Sequence, residues 1–340
     1  MLRFILIILV ALGVIVAGAY EWQLAKFSAS GPAAVGGAKQ TVVLIKPGMH
    51  VKGITDALND AHVIDSPEVF QIGLRLNGAT DKLKAGEYAI PSGASMYDIM
   101  QILIAGKAIA HKITAAEGLT SDMIAKLVNK DDVLKGDAVA VPAEGTLLPE
   151  TYLFMRGDTR QQILDRMTAA QKKLIAKLWP RRDKNLPYTT IAQAITLASI
   201  VEKETSLPSE RRHIAAIFVN RLRTGMKLQS DPTIIYSITG GYPLGRGIRA
   251  SELARVTPYN SYAVAGLPPT PICNPGKDAI AAVLNPGQTK DLYFVASGTG
   301  GHYFSATIAD QTRHVEELRA RERIQKSGKV TIPAPPVPHL

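Results

Sequence analysis

Apolar positions are continuous at the start of this chain and periodic after it. Residues Phe4–Tyr20 read FILIILVALGVIVAGAY, without a charge. The run reaches the short end of the ~17–25 residues that cross a bilayer, so it predicts a membrane-spanning helix. Arg3 precedes it and Trp22 follows it, where positive flanks and interfacial aromatics sit. Ala17-Gly18-Ala19 also fits a signal-peptide cleavage site. The minimal positive region and the long apolar run favour an uncleaved anchor over residues 1–22. Positive charge at that end places it in the cytoplasm and the rest of the chain outside.

Ser28–Gln40, SASGPAAVGGAKQ, has the composition of a linker, and a flexible linker is expected over 23–40. Periodicity then changes. Thr41–Ile45 is β-branched and predicts a strand, and Pro47-Gly48 turns the chain. Val51, Ile54, Ala57 and Leu58 share one helical face. Asp65-Ser66-Pro67 starts a second helix. Residues 85–90 predict another strand and 95–105 a third helix, so 41–110 is expected to form a small α+β module. This order is similar to an elaborated LysM-like module, a small carbohydrate-binding fold. Ile113–Val128 repeats the strand, glycine turn and helix order of Val43–Leu58. A polar amphipathic helix over Gly157–Trp179, a hairpin from Leu292–Val295 to His302–Phe304 and a last helix over Ile308–Gln325 complete a larger α+β domain at 111–325. The Pro-rich stretch 326–340 is expected to be a disordered tail.

The centre of the pattern is Ile191–Thr205, IAQAITLASIVEKET. Ile191, Ala194, Ile195, Ala198 and Val201 form one helical stripe, and Leu197 and Ile200 a second. A helix apolar on both sides is buried, yet this one ends in Glu202-Lys203-Glu204. Two positions are about 200° apart around a helix, so the acids face away from each other. Glu204 shares its face with Leu197, Ile200 and Val201, and apolar neighbours raise a carboxyl's pKa toward that of a general acid working near neutrality. An ordinary solvated charged turn would read the same way in this window alone.

Composition narrows the chemistry. The 340 residues are 46% hydrophobic, enough for two or three domains with cores. A net charge of +10 suits nucleic acid, an anionic membrane or an anionic polymer such as cell wall. No zinc-finger spacing, RNP-like motif or long basic run supports nucleic acid. One cysteine, Cys273, excludes an internal disulfide and a cysteine-based zinc site. Seven scattered histidines without HExxH spacing support no metal enzyme. No cofactor is expected.

Gln229–Phe304 is dense in Tyr, Asn, Gln, Pro and Gly and poor in periodicity. It reads as a long irregular tract, and such tracts inside a domain are usually functional. Its amides and aromatic rings match the hydroxyls, N-acetyl groups and ring faces of a sugar polymer. Eight fragments in order then carry a family resemblance: ASIVEKET at Ala198–Thr205, FVNRL at Phe218–Leu222, LQSDPT at Leu228–Thr233, TPYNSY at Thr257–Tyr262, GLPP at Gly266–Pro269, NPG at Asn274–Gly276, LYFVA at Leu292–Ala296 and GGHYFS at Gly300–Ser305. The chain resembles the endolytic murein transglycosylase family, also called YceG-like.

The resemblance implies a single-pass inner-membrane protein with a LysM-like module and a YceG-type catalytic domain in the periplasm. It implies cleavage of nascent peptidoglycan strands close to the membrane, beside peptidoglycan synthases. It also implies that the second Glu of the EKE triplet, Glu204, is the catalytic acid and then base, leaving 1,6-anhydro-N-acetylmuramic ends. Asn220, Gln229, Asp231, Tyr259 and Asn260 are the candidates for lining a substrate groove, and for each a purely structural role stays open. Glu202 is expected to be structural, and His302 to be a satisfied packing histidine. Two other readings stay open: a membrane-anchored glycan-binding scaffold without catalysis, and a hydrolytic muramidase that uses Asp231 as its second acid.

Overall fold

The computed structural model describes residues 2–326. The expected tail from Ser327 on lies outside the described residues. The chain forms a mixed α+β structure in two compact units. The first takes the residues up to Lys112 with Val133–Lys135 and Leu153–Asp158; the second takes Ile113–Asp132, Gly136–Tyr152 and the chain from Thr159 on.

The first unit opens with α1 (Leu2–Ser28). Among the described residues, Arg3–Ser28 is the one helix long and apolar enough to cross a membrane. It runs past residue 22, so the expected flexible linker does not begin there. The reason is packing. Gln23 and Phe27, one turn apart, are buried at 6% and 2% exposure. Gln23 Nε2 donates to the Val69 carbonyl at 2.7 Å, and the Phe27 ring lies 6.2 Å from that of Phe70. Gly73 permits this approach, since a Cβ there would fall 2.3 Å from the Phe27 ring.

Strand β1 (Gln40–Ile45) is followed by α2 (Val51–Asp60) and α3 (Pro67–Leu76), then β2 (Gly86–Pro91) and α4 (Met96–Ala105). β1 pairs antiparallel with β2, from Gln40↔Pro91 to Ile45↔Gly86. α4 begins with a reciprocal Ser95–Asp98 cap and ends at Gly106 in the left-handed region. Leu58, Phe70, Leu74, Tyr88, Ile99 and Leu103 make the core. Glu87 on β2 is buried between two partners: His111 Nε2 lies 2.6 Å from its Oε2 and Arg156 Nε donates to its Oε1 at 2.8 Å.

β3 (Ala110–Thr114) and β4 (Thr151–Met155) pair with each other. β3 leads into α5 (Ser121–Asn129). The strand, glycine and helix order of β1 and α2 thus recurs, with Gly48 at φ +80° and Gly118 at φ +78° making the turns.

The second unit is organised on α7 (Ile191–Glu204), which comes after α6 (Arg160–Leu178). Every residue of α7 from Ala194 to Val201 is buried, as two apolar stripes require. Its core partners include Ile214 and Phe218 of α8 (Pro208–Arg223). The tract after α8 is less irregular than its composition predicts. It holds α9 (Asp231–Thr239) and α10 (Ala250–Ala254). Pro232 in the first turn of α9 and left-handed Gly240 at its end are ordinary helix boundaries, hidden by the polar setting. α11 (Lys277–Leu284), which adds Ile280 and Val283 to the core around α7, precedes the hairpin of β5 (Tyr293–Ala296) and β6 (His302–Ser305). The hairpin pairs from Tyr293↔Ser305 to Ala296↔His302, and α12 (Ile308–Lys326) closes the unit.

Candidate active site

Glu204 is the last residue of α7. Its buried helix fixes the backbone, and the loop after α8 supplies the closest polar partner: Ser230 Oγ donates to Glu204 Oε1 at 2.5 Å. Glu204 is half-buried as a residue, and protein atoms crowd its carboxyl. Burial pushes its pKa up to about 7, with Asp231 adding to the rise; the Ser230 hydrogen bond, His302 and Arg221 oppose it. A carboxyl in this state holds a proton at neutral pH and releases it readily.

Arg221 on α8 is buried, and its own pKa is lowered, by burial first. Its Nε donates to the Leu292 carbonyl at 2.6 Å and its Nη1 to the Leu228 carbonyl at 2.5 Å. The guanidinium therefore ties the loop before Ser230 to the strand region after α11, and it supplies a positive charge that favours ionised Glu204.

Gln229 and Asp231 flank Ser230 and are both exposed. Gln229 adopts φ +52°, a conformation that non-glycine residues hold only when their surroundings impose it. Here the imposing bond is from Gln229 N–H to the Ser261 carbonyl, 3.0 Å. Asp231 Oδ1 accepts from Tyr262 Oη at 2.7 Å, which aims the carboxylate. The structure thus gathers Gln229, Asp231 and Glu204 around Ser230.

The other three candidates are engaged with loops. Asn220 Nδ2 donates to the carbonyls of Thr289 and Asp291 at 2.9 and 3.1 Å, and the residue lines a separate polar recess of about 280 Å³ with Asp183 and Arg223. Asn260 is buried; its Nδ2 reaches the carbonyls of Glu252, Leu253 and Arg255, and its Oδ1 accepts from the N–H groups of Tyr262 and Ala263. Tyr259 Oη lies 2.7 Å from Thr270 Oγ1, and its ring lies 5.1 Å from that of Tyr236.

Glu202 turns the other way, as helical spacing requires. Its Oε2 accepts the Gly276 N–H at 2.8 Å, and Arg211 Nη2 lies 3.9 Å from its Oε1. His302 Nδ1 lies 2.7 Å from Glu210 Oε2, and its backbone N–H donates to Glu210 Oε1 at 2.9 Å. Arg221, Ser230, Ser261 and Tyr262 join the site without having been singled out by sequence. All four lie within the quoted fragments, and Arg221, Ser230 and Ser261 each adjoin a candidate, but nothing in a sequence marks which of two neighbours turns inward. Among the described residues no group of three or more His, Cys, Asp or Glu side chains is placed to hold a metal.

A model of the YceG-like family matches residues 43–317. The chain belongs to the YceG-like family. It is 30% identical over 312 residues to an endolytic murein transglycosylase of Bacillus subtilis, covering 82% of this chain and 85% of that one. It is 29% identical over 363 residues to an endolytic murein transglycosylase of Streptococcus pneumoniae, covering 92% of this chain. It spans 65% of that relative's length. A crystal structure of a YceG-like protein from Listeria monocytogenes shares 28% identity and a TM-score of 0.52, covering 81% of this chain and 98% of that one.

Proposed function

We propose that this protein is an endolytic lytic transglycosylase that cleaves the N-acetylmuramic acid to N-acetylglucosamine β-1,4 bond of nascent peptidoglycan. The observation that carries the reading is a single carboxyl, Glu204, raised to about 7 by burial beside the exposed Gln229 and Asp231. Protonated Glu204 gives its proton to the leaving oxygen, O4 of N-acetylglucosamine, as the C1–O4 bond breaks. The muramic 6-hydroxyl attacks C1, and its proton passes to the same carboxylate. One bond to C1 is exchanged for another, no water is consumed, and Glu204 ends protonated as it began. A pKa near 7 suits this sequence because acid and base forms are both accessible at neutral pH. Gln229, Asp231, Asn220, Tyr259 and Asn260 are the proposed substrate-binding set, the first two at the acid itself.

The apolar helix would anchor the chain in the inner membrane with Arg3 on the cytoplasmic side, keeping the enzyme domain in the periplasm beside growing strands and their synthases. In the LysM-like reading of the first unit, a groove of about 580 Å³ with His50, Gln71, Arg75 and Asp81 in its lining would hold glycan. The hydrolytic alternative draws on one observation: Asp231 is exposed, held by Tyr262, and its charge acts on Glu204. The test compares wild type, Glu204→Gln and Asp231→Asn on uncrosslinked strands. Cleavage abolished in the first variant and retained in weakened form in the second supports one carboxyl doing both jobs. Equal abolition in both supports a hydrolytic pair, and cleavage retained by Glu204→Gln removes the reading.

A further inference from the structure

Three buried hydroxyls stand behind Glu204, and their hydrogen bonds can be assigned direction. Ser230, Ser261 and Thr233 are 1%, 4% and 0% exposed, so water cannot complete their bonding. Thr233 Oγ1 donates its one hydrogen to the Ser230 carbonyl at 2.6 Å. Between Thr233 Oγ1 and Ser261 Oγ, 2.8 Å apart, Ser261 is then the donor; its other acceptor, the Ser230 carbonyl, lies farther off at 3.4 Å. Ser261 Oγ in turn accepts the Ser230 N–H at 2.9 Å. These bonds close a ring around the Ser230 backbone and leave its side-chain hydroxyl out of the ring. Among the described residues that hydroxyl has one partner, Glu204 Oε1.

Their directions constrain the acid's proton. A hydroxyl donating to Oε1 cannot share that oxygen with a carboxylic hydrogen pointed back at it. The reverse arrangement, with Glu204 donating to Ser230, would strand a buried hydroxyl hydrogen, which costs about 1–3 kcal/mol. Oε2 has no hydrogen-bond partner among the described residues. We infer that Ser230, oriented by Ser261 and Thr233, is a positioning residue that confines the proton of Glu204 to Oε2, so that one and the same oxygen gives and receives the proton. The inference rests on the reading of Glu204 as the acid/base. Gln229 gains a reason for its left-handed backbone: its N–H and that of Ser230 both bind Ser261, and this pair of bonds delivers Ser230 to the carboxyl.

The charged and titratable groups that face Glu204 are Arg221 from α8, Asp231 and Tyr262 from α9 and the tract after it, and His302 from β6. None of them hydrogen-bonds Glu204 among the described residues. Ser230 is therefore the one directional contact, and its loss has a sign. A donor to a carboxylate stabilises the ionised form, so removing it raises the titration midpoint.

The test is a ¹³C NMR titration of the full chain in detergent micelles with carboxyl-labelled glutamate, Glu204→Gln assigning the resonance. Ser230→Ala is expected to raise the Glu204 midpoint, move the alkaline limb of the kcat profile the same way, and lower kcat about ten- to hundredfold with KM little changed. Ser230→Thr, which keeps the hydroxyl, is expected to restore the wild-type midpoint. A folded Ser230→Ala with an unmoved midpoint overturns the inference. Should Ser230→Ala fail to fold, Thr233→Val against Thr233→Ser decides: a raised midpoint in the first alone supports it, and no difference overturns it. An unmoved midpoint with Glu204→Gln inactive defeats only the proton assignment. Cleavage retained in Glu204→Gln defeats the function instead, with the midpoint still reporting on Ser230.

Discussion

Glu87 and Glu204 are both carboxyls drawn out of water, and they end on opposite sides of the ordinary range. Burial pushes Glu87 up, but the hydrogen bonds and charges of His111 and Arg156 outweigh it and hold it below its usual value. Burial pushes Glu204 up as well, and there one hydroxyl and the more distant His302 and Arg221 fail to compensate. The difference lies in what touches the carboxylate. A guanidinium and an imidazole at hydrogen-bond distance favour the anion, which joins β2 to Arg156 and His111 within the first unit. One neutral donor leaves a group that exchanges its proton near neutral pH. Withdrawal from water thus serves as a strut in one unit and as a candidate acid in the other.

The largest expected separation is in activity. Glu204→Gln should lower strand cleavage by about 10²-fold or more, the scale of a lost general acid. Glu87→Gln should leave cleavage within about threefold, because Glu87 shares no hydrogen-bond partner with Glu204 among the described residues. A product assay on equal amounts of folded protein checks both, and comparable losses would break the distinction.

Stability should separate in the other direction. Glu87→Gln leaves Arg156 without its anion and His111 without its carboxylate partner, and should cost about 1–3 kcal/mol in the first unit, read by hydrogen exchange of β1 and β2. The same contact predicts a pH dependence. A carboxyl whose folded pKa lies below its unfolded value contributes stability above the unfolded pKa and loses it as pH falls through the folded one. Acidification should therefore loosen β1 and β2 in wild type, and the Glu87→Gln variant should lack that acid-dependent step.

Glu204 carries the opposite sign and the smallest effect. Its folded pKa of about 7 lies above the ordinary 4.5, so the folded state binds the extra proton between those values and stability falls as pH rises through that window. The neutral Glu204→Gln variant escapes this loss. It should be more stable than wild type above pH 7, by on the order of 1–2 kcal/mol after solvent screening of a half-buried group. Denaturation of both proteins at pH 5 and pH 8 checks this, the gap opening only at the higher pH.

The two carboxyls also differ in how far sequence could find them. Glu204 was legible because its helix carries two apolar stripes, and helical spacing alone sends Glu202 and Glu204 to different partners, Gly276 and Ser230. Glu87 was not, because His111 and Arg156 reach it from 24 and 69 positions away. Ser230 was hidden for the same reason: its orientation comes from Ser261, 31 positions on. The extension of α1 escaped because Gln23 and Phe27 resemble linker residues until Gly73 opens room for the ring. α9 escaped because Asp231-Pro232 opens a helix and a turn with equal ease. Local periodicity reveals which face a residue takes, and contacts between distant segments decide what waits there.

The most direct test of a single carboxyl acting as acid and then base is the mass of the ends it makes. Uncrosslinked glycan strands digested by the full chain in micelles should yield new muramic ends lighter by one water than ordinary reducing ends, the mark of 6-hydroxyl attack. Ordinary reducing ends would show that water was the nucleophile, contradict the one-carboxyl account and assign Asp231 the second role.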